Sequence, residues 1–179
     1  MNKRKTTENY DRRITMKKIN IRDIKESPVK LISDDWALLT AGRGKEFNTM
    51  TVSWGAAGEL WGRDSVFVFV RPQRYTFEFI ENSELFTLSF YPEEYKDALR
   101  ICGRKSGRDI NKPAETGLTP VETDGAVTFE QAKYTIVCRK IASQYLDPAG
   151  FIDKTIEENY SNNDYHKMYV GEIIAVYEH

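Results

Sequence analysis

The chain has 179 residues and a formal net charge of −1, and hydrophobic residues make up 40% of it. This length fits one domain, and the apolar and aromatic content excludes a chain that stays unfolded. No apolar run approaches the roughly 20 residues that cross a bilayer, and the first residues are basic and polar. We therefore expect neither membrane insertion nor secretion, but a cytoplasmic protein.

Charge is unevenly distributed along the chain. Residues 1–18 contain seven basic and two acidic residues, which leaves 19 basic and 25 acidic residues, a net charge of −6, for residues 19–179. We divide the chain accordingly into a basic, flexible N-terminal segment, residues 1–18, and a single domain, residues 19–179. An acidic body repels the phosphates of nucleic acids, so a nucleic-acid role would depend on that segment or on a local basic patch.

Short runs rich in β-branched and aromatic residues recur along the chain, and most are bounded by Gly, Pro, Asn or Asp. They predict strands over residues 36–41, 47–54, 65–71, 85–91, 126–145 and 168–177. Two short helices interrupt the strands: Pro72 opens the first, and Pro92 opens the second, which Gly103 ends as a left-handed cap. The pattern predicts a mainly β domain, a barrel or a sandwich, with an irregular polar stretch over residues 103–125.

The second predicted strand alternates in character. Hydroxyl groups occupy one face, and larger side chains the other, in the order Thr49, Met50, Thr51, Val52, Ser53, Trp54. A row of hydroxyls and strand amides can bond the edge of a flat, heteroatom-rich ligand on which Trp54 stacks. The same alternation is typical of an ordinary half-exposed strand.

Two segments have the composition of anion sites. Residues 71–76, RPQRYT, run from a strand into a helix, whose N-terminus presents unpaired amides beside Arg74 and Thr76. Residues 103–108, GRKSGR, combine glycines, a hydroxyl and cations, the groups that bind phosphate. Neither segment matches the phosphate loop of nucleotide hydrolases or the dinucleotide fingerprint. The alternatives are a proline at a helix start with incidental arginines and a solvated basic loop.

Histidines and cysteines are too few for a metal site. The chain has two of each, and Cys102 and Cys138 are too far apart for a zinc-binding pair, so we expect no metal and two buried free thiols. His166 is a candidate either for a pocket or surface position or for proton transfer.

Several of these motifs, taken in order, resemble the flavin reductase-like family, which includes flavoredoxin. The resemblance extends over about residues 33–177, and its most distinctive pieces are NTMTVSWG at 48–55, RPQRYT at 71–76, CGRKSGRD at 102–109 and HKMYVGEI at 166–173. It implies an FMN-binding split barrel, an antiparallel Greek-key barrel with short flanking helices, that works as a homodimer with flavin near the subunit interface.

The resemblance also implies roles for individual residues. The flavin ring would lie along Thr49, Met50, Thr51, Val52, Ser53 and Trp54. The phosphate would be held by Arg71, Arg74, Tyr75, Thr76, Cys102, Lys105, Ser106 and Gly107. His166 would face the flavin where nicotinamide or another electron donor docks.

We therefore expect an FMN-dependent NAD(P)H oxidoreductase that transfers a hydride from nicotinamide to flavin N5, with a flavin or a small molecule as acceptor. The alternative is a flavoredoxin-like electron carrier with the same cofactor and no direct turnover of NAD(P)H. A more remote alternative is a β-barrel that binds nucleic acid through the basic segment and residues 100–108.

Overall fold

The computed structural model describes residues 16–179, in which antiparallel β-strands predominate. The strands are β1 (Lys17–Ile19), β2 (Ala37–Arg43), β3 (Glu46–Val52), β4 (Gly55–Leu60), β5 (Arg63–Val70), β6 (Leu85–Phe90), β7 (Pro120–Thr123), β8 (Ala126–Phe129), β9 (Tyr134–Tyr145) and β10 (Lys167–Glu178). One eight-stranded sheet follows the order β3-β2-β6-β9-β10-β5-β4, with β1 paired to β10, and β7 and β8 form a second sheet. The mainly β prediction is confirmed.

Three short α-helices flank the sheet: α1 (Tyr75–Asn82), α2 (Lys96–Arg104) and α3 (Lys112–Thr116). The helix α2 follows a single 3-10 turn at Glu93–Tyr95, and further 3-10 turns lie between β9 and β10 at Pro148–Gly150 and Lys154–Asn159. None of the helices within residues 16–179 is long and apolar enough to span a membrane.

The core lies on the concave side of the large sheet, where the inward side chains of successive strands meet. In β5 the inward-facing side chains are those of Val66, Val68 and Val70. They are buried, as the two-residue period of a strand requires. A second cluster lies between the sheet and α2, and Leu38, Leu99 and Phe129 are buried there. Because α2 packs over this second cluster, its C-terminal end lies beside β3 and forms one wall of the candidate site.

Several element predictions differ from the structure. The run 126–145 forms two strands, because a turn after Phe129 separates β8 from β9. Residues 103–125 contain α3 and β7 and are therefore not wholly irregular. The sequence GAAGEL of β4 lacks β-branched residues, and its strand conformation depends on pairing with β5.

The N-terminal boundary and the helix ends also differ in detail. Lys17 and Lys18, placed in the flexible segment by the sequence, belong to β1 and pair with β10, whereas residues 1–15 of that segment lie outside the described residues. Pro72 precedes α1 by three residues. The expected left-handed cap at Gly103 is wrong, because this glycine lies inside α2, where an added Cβ would come within 3.2 Å of the Thr51 Cβ.

Gly171 marks the closest approach of β10 to the core. The register between β9 and β10 shifts between Val170 and Gly171, and a Cβ added at Gly171 would lie 2.4 Å from Cζ of Phe86. Phe86 is completely buried and the contacts on its other sides are close-packed, so the ring has no free space to move into.

We predict that Gly171→Ala destabilises the fold by about 1–3 kcal/mol, the usual range for overpacking a core. Urea unfolding measures the change. The matched control is Gly58→Ala in β4, where an added Cβ has no neighbour within 4 Å and the free energy of unfolding should stay nearly constant. Equal effects of the two substitutions would contradict this account of the β10 bulge.

Candidate functional site

Two neighbouring pockets lie where β3, the start of α1 and the end of α2 meet. The smaller has a volume of about 230 Å³ and is lined by Met50, Thr51, Val52, Ser53, Trp54, Phe69, Arg71, Arg74 and His166. The larger, of about 420 Å³, is lined by Asn48, Met50, Arg71, Gln73, Arg74, Tyr75, Thr76, Arg104, Lys105, Ser106, Gly107 and Lys112. The two share Met50, Arg71 and Arg74, so they are continuous.

These pockets bring together the sequence-predicted site residues with two exceptions, Thr49 and Cys102. Larger grooves of about 620 and 1070 Å³ lie along α1 and the β2–β3 turn, but they gather few of those residues. We therefore place the candidate site at these two joined pockets, the larger of which, at about 420 Å³, falls in the range of small-molecule sites.

The hydroxyls of β3 face the protein rather than a ligand. The Thr49 hydroxyl donates to the Leu39 carbonyl at 3.2 Å and also pairs with the Thr40 hydroxyl, and the Thr51 hydroxyl donates to the Leu99 carbonyl. The predicted row of ligand-binding hydroxyls is thus not available at Thr49 and Thr51, because these groups satisfy buried polar partners.

The backbone of β3 is available instead. Within residues 16–179, β3 is the terminal strand of the sheet and pairs only with β2. The carbonyl of Thr49 points away from β2, since it accepts a hydrogen bond from Lys112. Because N–H and C=O of one residue share a side and that side alternates along the strand, the amide and carbonyl of Thr51 point to the same outer edge. This edge faces the pockets and can bond a heteroatom-rich ring.

The larger pocket has the charge of an anion site. Among the residues that the structure describes, its lining includes five basic residues and no acidic one: Arg71, Arg74, Arg104, Lys105 and Lys112. Two of these side chains contact groups outside the lining. Lys105 forms an ion pair with Glu115 at 2.5 Å, and Arg74 donates to the Gly103 carbonyl at 2.8 Å. The prediction that residues 71–76 and 103–108 form one cationic site is consistent with this arrangement.

Backbone groups reach the pocket closely at Gly107. A Cβ added there would lie 2.0 Å from Oδ1 of Asn48, so no other residue fits without displacing that side chain. Asn48 itself is fixed, because its amide donates to the Thr76 hydroxyl at 2.7 Å. The start of α1, β3 and the 103–108 segment are therefore joined around the pocket by direct contacts.

Lys112 is a pocket residue that the sequence analysis missed. It is 5% exposed, and its ammonium group donates to the carbonyls of Thr49 and Cys102, both at 2.7 Å. Burial lowers the pKa of Lys112 to about 8, with a smaller lowering from Arg74. An ammonium group has three N–H donors, so one remains for a ligand. Nothing in the polar sequence around Lys112 indicates burial.

Cys102 contacts the pocket residue Lys112 through its backbone carbonyl rather than through its thiol. The side chain is buried in the cluster behind α2, and burial raises the pKa of its thiol to about 11. Burial likewise raises the pKa of Cys138. Both cysteines are free. Within residues 16–179 no group of three or more His, Cys, Asp or Glu side chains is arranged to hold a metal ion.

Arg71 lines both pockets but is engaged elsewhere. Its guanidinium donates to Asp164 at 2.6 Å and to the Asn159 carbonyl at 2.8 Å, and it lies 5.1 Å from the centre of the Tyr160 ring. This contact holds the pKa of Asp164 below its usual range. Arg71 therefore fastens the segment 146–166, between β9 and β10, onto the site.

His166 forms the far wall of the smaller pocket. Its ring centre lies 5.1 Å from that of Trp54, and its Nδ1 is 2.9 Å from the Tyr160 hydroxyl. Burial, with a smaller contribution from Arg71, lowers the pKa of His166 to about 4. The imidazole is consequently neutral near pH 7, and it acts there as a hydrogen-bonding group rather than as a charge.

Comparison with known proteins identifies relatives of this arrangement. The family model described as "Flavin reductase like domain" matches residues 30–179. No match to a curated protein is found. Similar solved structures include an FMN-binding protein from Thermus thermophilus with bound p-hydroxybenzaldehyde, with 20% identity, a TM-score of 0.63 and coverage of 80% of this chain and 71% of that one.

Two further similar structures differ in activity. Flavoredoxin of Desulfovibrio vulgaris has 23% identity and a TM-score of 0.63, over 80% of this chain and 69% of that one. An NADH:FAD oxidoreductase from Streptomyces globisporus, in complex with NAD and FAD fragments, has 17% identity and a TM-score of 0.59, over 81% and 75%. The split-barrel fold predicted from the sequence is confirmed by these likenesses.

Proposed function

Because the chain belongs to the family of flavin reductase-like domains, we propose that it binds FMN in the two joined pockets and is an NAD(P)H-dependent flavin oxidoreductase. The observation that supports this most directly is the larger pocket, where five basic side chains meet with no carboxylate among the lining residues. A phosphate dianion would balance two of these positive charges, and Arg71 and Lys105 are already paired with Asp164 and Glu115. The close contact of Gly107 with Asn48 holds the backbone of residues 103–108 at the pocket wall, where its amides could approach such a group.

Different residues of the chain would hold the phosphate and the flavin ring. Arg74, Lys105, Ser106 and Lys112 would hold the phosphate, while the outer edge of β3 would bond the ring. When bound, FMN accepts a hydride at N5 and passes its electrons to an acceptor, a flavin or a small molecule. The protein has to orient the ring and supply hydrogen-bond donors, and no side chain of the site needs to act as a strict acid or base.

With the ring bound along β3, the electron donor would stack on it at the side of the smaller pocket that Trp54 and His166 form. Trp54 offers a flat apolar surface, and His166 lies beside it as a neutral polar group. The similar oxidoreductase solved with NAD and FAD fragments supports NAD(P)H as that donor. The similar flavoredoxin supports the second candidate, an FMN electron carrier without direct NAD(P)H turnover.

We also propose a homodimer with the flavin near its interface, in the cytoplasm. In support, two tryptophans next to β4 are exposed, Trp54 at 47% and Trp61 at 65%, and one of them borders the pocket. A second copy of the chain would remove this apolar surface from water. The nucleic-acid alternative is weakened, because Arg104 and Lys105 line a pocket beside an acidic body rather than an open surface.

Loss of two phosphate-facing cations should weaken FMN binding. We predict that Arg74→Ala combined with Lys105→Ala raises the dissociation constant of FMN about a hundredfold, roughly tenfold for each charge-assisted contact. Quenching of flavin fluorescence measures the affinity. The control combines Lys30→Ala with Arg139→Ala, which removes two ion-paired cations outside both pockets. Wild-type protein that shows no flavin absorbance after incubation with excess FMN would refute the proposal.

FMN affinity should also depend on pH through Lys112. A lysine of lowered pKa, about 8, loses its charge as the pH rises from 7 to 9.5, so the affinity should fall by up to about tenfold over that range. Lys112→Met should bind FMN more weakly at pH 7 and show a flatter profile. Lys105→Met, which removes an ammonium group from a side chain 48% exposed, should retain the wild-type slope. A sloping profile in Lys112→Met would contradict this assignment.

Stopped-flow mixing separates the reductase from the carrier. We predict that FMN-loaded protein loses its flavin absorbance rapidly and without oxygen when mixed with NADH or NADPH, since the pocket beside His166 admits the nicotinamide. Dithionite provides the control for complete reduction. If dithionite bleaches the flavin and neither nucleotide does, the protein is the electron carrier.

A further inference from the structure

A buried tyrosine lies behind His166 in the segment 146–166. The hydroxyl of Tyr160 is 2.9 Å from Nδ1 of His166, and the two residues are only 5% and 8% exposed. Tyr160 does not line either pocket of the site, whereas His166 does. Tyr160 can therefore influence a ligand in the smaller pocket only through the imidazole of His166.

Aromatic and cationic contacts hold the Tyr160 ring in place. The ring centre of Phe151 stacks at 6.1 Å, that of Tyr165 lies at 4.8 Å, and the Arg71 guanidinium covers the ring at 5.1 Å. Arg71 is itself fixed by Asp164. With its ring confined in this way, the hydroxyl has a defined position relative to Nδ1.

The position of the protons follows from the hydrogen bonds. The Tyr160 hydroxyl is a phenol whose pKa burial raises, so it keeps its proton, and among the described residues Nδ1 of His166 is its only partner. Because Nδ1 is the only partner for this buried proton among those residues, we assign the hydroxyl as the donor and Nδ1, with its lone pair, as the acceptor. A neutral imidazole carries one N–H, so the hydrogen lies on Nε2, an atom without a partner within the described residues.

The imidazole stays neutral because of the groups that face it. Burial, Arg71 and Arg74 lower the pKa of His166, and Asp164 raises it by a smaller amount, which leaves it at about 4. Trp54, whose ring centre is 5.1 Å away, limits rotation of the imidazole on its other side.

We propose that Tyr160 is a positioning residue that fixes His166 as the Nε2–H tautomer, so that His166 donates a hydrogen bond to a carbonyl oxygen of the ligand in the smaller pocket. The identity of that ligand rests on the proposed function, under which the acceptor is the carboxamide oxygen of nicotinamide. The tautomer itself depends only on the contacts within the chain.

Nitrogen NMR on the flavin-free full-length protein with 15N-labelled histidine tests the tautomer. The chain has only two histidines, so His166→Gln assigns the spectrum. We expect the proton of His166 on Nε2 throughout pH 5.5 to 8.5. A proton on Nδ1, or a protonation step within this range, would overturn the proposal, and neither outcome depends on flavin binding.

Two Tyr→Phe substitutions in the same segment test the role of Tyr160. Tyr160→Phe should release Nδ1 from its hydrogen bond and produce signals from more than one ring state, whereas Tyr165→Phe should retain the wild-type pattern. His179, whose Nε2 is 2.9 Å from the Thr135 hydroxyl, is the internal check that the fold is preserved. An unchanged His166 spectrum in Tyr160→Phe would overturn the positioning role.

The ligand is tested separately with FMN-loaded protein and tetrahydro-NADH, a reduced analogue that cannot transfer a hydride. We expect Tyr160→Phe to raise its dissociation constant about three- to tenfold, and His166→Phe about tenfold, the effect of one lost hydrogen bond. Tyr165→Phe should match wild type. Equal affinity in all four proteins, or no binding to the wild type, overturns the carbonyl assignment. Failure of the proposed function would appear separately, as absence of FMN binding or as absence of flavin bleaching by both NADH and NADPH.

Discussion

The buried ammonium group of Lys112 is the interaction on which the site depends. Its two hydrogen bonds, each 2.7 Å long, join the edge of β3 at Thr49 to the end of α2 at Cys102, and Lys112 itself begins α3. Burying a charge without a counter-charge costs free energy, and carbonyl dipoles offset only part of that cost. The lowered pKa of Lys112 expresses the remaining cost. An anion in the pocket would supply the missing counter-charge, so the same contact serves both the fold and ligand binding.

The terminal position of β3 explains why the ligand-binding surface is backbone. The side chains on both faces of β3 are already engaged within the protein. Met50 and Val52 pack in the barrel core, and the hydroxyls of Thr49 and Thr51 donate hydrogen bonds to carbonyls of β2 and α2. What remains for a ligand is the row of amides and carbonyls along the unpaired edge. An edge strand is ordinarily a site for unwanted pairing with other strands. Here the edge faces a pocket bordered by Arg74 and the segment that follows α2.

The sequence predicts those parts of the molecule that depend on local pattern. Runs of β-branched residues identify β2, β3, β5, β6 and β10, and the composition of residues 71–76 and 103–108 identifies two cationic elements that the fold joins. It does not predict β4, whose small residues become a strand only through pairing with β5. It also misses the burial of Lys112, because that depends on carbonyls 63 and 10 residues away along the chain. Tertiary contacts of this kind leave no periodic signal.

A contact with a residue far along the chain gives Arg71 a role other than the one that its motif predicts. From the sequence it is a phosphate ligand next to Arg74, but its partner Asp164 lies 93 residues further along the chain and holds the guanidinium against the segment 146–166. Under the proposed function, phosphate binding would therefore fall to Arg74, Lys105, Ser106 and Lys112, and Arg71 would instead link the two pockets that it lines. Through its contact with the Tyr160 ring, the same guanidinium supports the hydroxyl that orients His166. One arginine therefore links the anion site to the polar group of the neighbouring pocket. Removal of its charge would disturb the imidazole even if the phosphate were held as before.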